Sequence, residues 1–103
     1  MYRYTTPTLP ITIEDVDFST VQTFRIAIEQ GGKEIFLFAV DVNDPIVDAQ
    51  NKTILLEMTQ EQTAKLREGF AKLQVRIVYV TNKVQATKKA SVTINDVIDE
   101  VIV

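Results

Sequence analysis

Apolar and polar residues alternate along most of this chain, and the alternation outlines its strands. Leu9, Ile11 and Ile13 are separated by polar positions or proline, which is the period of a half-buried strand. Pro7 and Pro10 flank and enter it. Proline cannot donate to a ladder, so this strand belongs at a sheet edge. EDVDFST (14–20) reads as a polar turn. In VQTFRIAIEQ (21–30), Phe24, Ile26 and Ile28 face one way, and Thr23, Arg25 and Glu29 the other. Gly31-Gly32 follows, then KEIFLFAVDV (33–42). Two β-rich runs joined by a glycine pair predict a hairpin, because glycine accepts the positive φ of tight hairpin turns.

NDPIVDAQNK (43–52) has no period and carries turn formers, so it reads as a loop before the short strand TILLEM. Thr59 and Gln62 then have the spacing of a capping box, and Glu61 lies in the first turn, favoured by the helix dipole. Gly69 stands where a left-handed residue stops a helix. These signals predict a helix over about 60–68, with Leu66 turned inward. The longest strand comes next, FAKLQVRIVYV (70–80). Leu73, Val75, Ile77 and Tyr79 form one face, and Lys72, Gln74 and Arg76 the other. Val78 and Val80 make the second face apolar at the far end, which predicts cover on both sides there. TNK (81–83) turns, and VQATKKASVTI (84–94) returns as the last long strand.

Strands with turns at this spacing predict a mainly β fold: an antiparallel immunoglobulin-like β-sandwich of about six to seven strands, whose short helix crosses between the sheets. Residues 1–103 make a single domain, with an N-terminal arm at 1–6 and a C-terminal tail at 95–103.

Composition narrows the chemistry. The chain has no His and no Cys. It therefore lacks the commonest general base, a thiolate nucleophile and a zinc–cysteine site. Ser19 and Ser91 are the only serines, and the lysines near Ser91, Lys88 and Lys89, fall on a half-exposed strand. No enzymatic activity and no cofactor are expected. Asp41, Asn43, Asp44 and Asp48 gather oxygen ligands that suit calcium, but without the glycine and glutamate of an EF-hand. Glu14, Asp15 and Asp17 form another acidic turn. Both read as solvated turns and not as metal sites. Asn51-Lys52-Thr53 matches a glycosylation sequon, which matters only on a secretory route. No run approaches a membrane span and the N-terminus lacks an apolar signal region, so the chain reads as soluble and not secreted.

Net charge is −3, distributed as an acidic first half, a basic 52–94 and an acidic tail. The basic block reads as a solvated face balanced by acidic neighbours, with no specific nucleic-acid partner and no membrane partner. Tyr2, Tyr4, Val101, Ile102 and Val103 lie in the arm and the tail, yet favour burial. They are the candidate assembly residues: they close the sandwich or are completed by a neighbouring subunit.

The chain also resembles a family of small proteins from tailed phages and from prophages of Gram-positive bacteria. The residues that carry the resemblance are Tyr2–Ile13 (YRYTTPTLPITI), Met58–Gly69 (MTQEQTAKLREG), Leu73-Gln74-Val75-Arg76 and Val92–Ile102 (VTINDVIDEVI). Met58 stands where that pattern has Leu, and Gln62 where it has Glu. The resemblance implies a non-enzymatic virion or assembly protein of the head–tail junction, tail or baseplate. It would be made in the bacterial cytoplasm and partnered by other virion proteins and by itself. It supplies no catalytic residues. The alternative is a free-standing binding module that holds a small ligand, calcium or a protein partner in its loops and melts higher when loaded.

Overall fold

The computed structural model describes all 103 residues. Two antiparallel sheets face each other. The smaller contains β1 (Thr8–Thr12), β4 (Val47–Asp48) and β5 (Thr53–Glu57) in the order β1-β5-β4. The larger contains β2 (Val21–Gln30), β3 (Lys33–Asp41), β6 (Gly69–Tyr79), β7 (Val84–Ala86) and β8 (Ala90–Ile94) in the order β3-β2-β6, with β7 and β8 both on the far side of β6. This is the predicted β-sandwich. The chain crosses between sheets after β1, after β3 and after β5. The last crossing contains the helix α1 (Gln60–Ala64).

Side-chain alternation places the core between the sheets. Phe24, Ile26 and Ile28 of β2 and Ala71, Leu73, Val75 and Ile77 of β6 meet Ile54, Leu56 and Met58, and all ten are buried. Burying each of these side chains larger than alanine is worth about 1.5–3 kcal/mol, so this seam is the main source of stability. Pro10 lies on the predicted edge strand: β1 pairs only with β5. Gly31 and Gly32 both have positive φ, +64° and +78°, the conformation that a two-residue hairpin turn of matching twist needs.

Several expectations are corrected. The segment 14–20 is not merely a polar turn. Val16 and Phe18 are buried, and Asp17 caps the 3-10 turn Phe18–Thr20 by accepting from the Ser19 N–H. Residues 43–52 are not all loop, since Val47 and Asp48 pair with Ile54 and Thr53. Two residues are too few to show a period. The last strand is broken at 87–89. There the Thr87 hydroxyl accepts from the Val75 N–H at 3.1 Å, in place of a ladder carbonyl. Val80 has no cover: it is 61 % exposed in the turn that follows β6, while Val78, still on the strand, is half-buried.

The helix starts where expected and stops early. The Thr59 N–H donates to Gln62 Oε1 at 2.9 Å, and the Gln62 N–H donates to Thr59 Oγ1 at 3.2 Å, completing the capping box. Lys65 and Leu66 then donate to carbonyls only three residues back, which tightens the turn and ends the helix. Leu66 leaves it to plug the core, wholly buried. The buried Gln30 amide takes over beyond. It accepts from the Arg67 N–H at 2.7 Å and donates to the Arg67 carbonyl at 2.6 Å. Gly69 is therefore not the helix stop. It opens β6 at φ +123°, a backbone conformation reserved for glycine.

Candidate interaction surface at the chain ends

The two ends of the chain meet beside α1. Tyr2 bridges Asn95 in parallel, with the Arg3 N–H donating to the Asn95 carbonyl at 2.9 Å and the Asn95 N–H to the Met1 carbonyl at 2.7 Å. The arm thus lengthens the larger sheet. At Tyr4 it turns through a left-handed residue, φ +57°, into the smaller sheet. The turn is held by the Thr5 hydroxyl, which donates to the Tyr2 carbonyl at 2.6 Å.

Arg3 ties three segments together. One guanidinium nitrogen donates to Asp96 at 2.9 Å and lies 3.6 Å from Glu100. Another donates to the Ala64 carbonyl at 2.8 Å, at the negative end of α1. The hydrogen bond that Arg3 donates to Asp96 comes first among the influences that hold Arg3 above its ordinary pKa. The charges of Asp96 and Glu100 add to it, while partial burial opposes it. The guanidinium also lies over the Tyr4 ring, 5.2 Å from its centre.

Beyond Asp96 the tail forms no helix or strand. Its terminal residue is held by Gln60, whose side chain accepts from the Val103 N–H and donates to the Val103 carbonyl, both at 2.9 Å. Ile98 stands wholly in solvent, and Val101, Ile102 and Val103 are exposed. Four large aliphatic side chains within six residues, interrupted by Asp99 and Glu100, give an apolar surface with an acidic middle. Among the five assembly candidates, Tyr2, Val101, Ile102 and Val103 are exposed, while Tyr4 is half-buried in the arm. Ile98 was missed. Its signal was the same apolar tail, but periodicity says nothing of orientation where no element forms.

The other candidates do turn work. Asp41 accepts from the Asn43 N–H at 2.8 Å, Asp44 from the Ile46 N–H at 3.1 Å, and Asp48 from the Asn51 side chain at 2.7 Å. No three carboxylates are grouped to hold a metal ion. Asp48 is held below the usual carboxylate range by the Asn51 side chain and backbone, and Asp17 likewise by the Ser19 hydroxyl and N–H. Lys89 pairs with Glu29 at 2.9 Å, Lys88 is exposed, and the Ser19 hydroxyl is engaged as a donor to Asp17. No helix is long and apolar enough to cross a membrane. Comparison with protein-family models, curated proteins and solved structures finds no match to the chain.

Proposed function

We propose that this chain is a non-enzymatic structural component of a phage or prophage particle, part of the head–tail junction, tail or baseplate, acting by protein–protein assembly. The observation that carries the reading is the tail. Ile98, Val101, Ile102 and Val103 remain exposed while the residues just before them are bolted to the arm. A monomer gains nothing from four aliphatic side chains in water, whereas a neighbour that covers them gains about 25 cal/mol for each Å² of apolar surface removed. The likeness of Tyr2–Ile13, Met58–Gly69 and Val92–Ile102 to small phage proteins supplies the setting.

The test is quantitative mass spectrometry of purified particles induced from the source bacterium. A copy number matching a ring, tube or shell is expected. Recovery from the lysate alone, with none in particles, overturns the reading in favour of a free-standing binding module.

A further inference from the structure

On the outer face of the larger sheet two positive charges stand side by side. Arg25 of β2 lies directly opposite Arg76 of β6, and Ala39 of β3 and Ala86 of β7 complete the row on either side. Like charges directly opposite on neighbouring strands destabilise a sheet. No carboxylate relieves this pair, since the ion pairs of the chain join Arg3 to Asp96 and Glu100, and Lys89 to Glu29. Asp41, one row away opposite Thr23, accepts instead from the Asn43 N–H. Around the arginines the face is largely apolar. Ala27 and Leu37 lie in the row on one side, and Val78 and Val84 in the row on the other. Leu37 is 45 % exposed and Val84 50 %. The result is an apolar surface with a basic middle.

The tail is its counterpart. Ile98 precedes Asp99 and Glu100, and Val101, Ile102 and Val103 follow them, all exposed. Asp99 is in no ion pair, and Glu100 meets only the Arg3 guanidinium, at 3.6 Å. Carboxylates set on the arginine row would relieve its repulsion, and guanidinium forks match carboxylate geometry. A chain's own tail does not arrive there. Asp96 is fixed to Arg3 beside the Gly69 end of β6. Arg76 lies seven residues along that strand, about 23 Å away, whereas Asp99 is three residues beyond Asp96, a reach of about 10 Å.

We propose that the tail of one copy docks across the Arg25–Arg76 row of a second copy, with Asp99 and Glu100 on the two guanidinium groups and the aliphatic tail residues on the apolar positions around them. The contact joins two different surfaces. It therefore propagates head to tail, and gives a ring where the rotation closes and an open filament where it does not. A seven-residue tail is small beside the roughly 1,200–2,000 Å² of a standard stable interface, so assembly depends on concentration. The inference rests on the reading of the tail as an assembly surface and names the partner of that surface.

Complementation between two variants tests it. Deleting 97–103 leaves the face without a tail, and Arg25→Gln with Arg76→Gln leaves the tail without its face. In sedimentation velocity the unaltered chain is expected to grow beyond a dimer as concentration rises, and to grow less in about 1 M salt, which screens the charges. Each variant alone is expected to stay monomeric and to melt cooperatively. Their equimolar mixture is expected to form a one-to-one dimer and nothing larger, because only one contact can be made. Exchanging the signs, with Asp99→Lys and Glu100→Lys in a chain that also carries Arg25→Glu and Arg76→Glu, is expected to restore growth. An unaltered chain that stays monomeric at its highest attainable concentration, a mixture that stays monomeric, or growth that survives loss of both arginines overturns the proposal. So does an arginine row that holds a single-stranded oligonucleotide and no tail. None of these outcomes removes the chain from particles, so the particle reading fails separately, by its own copy-number test.

Discussion

The Thr63 hydroxyl, wholly buried, both accepts from the Thr5 N–H at 3.1 Å and donates to the Thr5 carbonyl at 2.9 Å. One side chain of a five-residue helix thereby satisfies both backbone groups of a residue in the N-terminal arm. A helix this short is not stable by itself. Its cap, its threonine bolt and Leu66 hold it in place.

Removing that hydroxyl at nearly constant shape isolates its contribution. Thr63→Val is expected to destabilise the fold by about 1–3 kcal/mol, since it leaves a buried N–H and carbonyl without partners. Chemical denaturation measures this. A midpoint equal to that of the unaltered chain would mean that water replaces the hydroxyl.

At Gly69 the penalty is one of backbone, not of space. A β-carbon there meets nothing within 4 Å, yet φ is +123°. Gly69→Ala and Gly69→Val are each expected to cost about 1 kcal/mol or more, with alanine retaining most of the effect of valine. Thermal melting of both variants checks it. A large valine effect beside a negligible alanine effect would point to crowding instead.

Truncation separates the arm's partner from the exposed surface. Deleting 97–103 is expected to leave the fold intact, because Asn95 and Asp96 still hold Met1 and Arg3. Deleting 95–103 removes those bonds and is expected to melt lower. In both, the assembly proposed for the tail is expected to be lost ahead of folding. A 97–103 deletion that unfolds outright would show that the tail belongs to the core.

The Asp17 cap predicts acid sensitivity of a definite sign. Its pKa is lowered by the Ser19 hydroxyl and N–H. The ionised form is therefore favoured in the folded state. Its contribution is complete above the unfolded value, about 3.9, and is lost as pH falls below that through the folded value. Ser19→Ala is expected to shrink the fall in melting temperature between about pH 6 and about pH 3. An unchanged fall assigns the acid response to other carboxylates.

What the sequence determined by itself was whatever depends on near neighbours. Strand spans follow from a two-residue period, the hairpin turn from two glycines able to take positive φ, the helix start from a Thr59–Gln62 exchange three residues long, and the edge position of β1 from Pro10 lacking an N–H. The tertiary structure decided what depends on partners far along the chain. The helix ends after Ala64 because Gln30, 37 residues away, satisfies Arg67 and because Leu66 is drawn into the core. The arm belongs to the fold because Thr63 and Asp96, 58 residues from Thr5 and 93 from Arg3, receive it. Of the interaction surface, the apolar tail was legible in composition. That Tyr4 is partly hidden while Ile98 faces water was not, because exposure is a property of the neighbours the folded chain supplies.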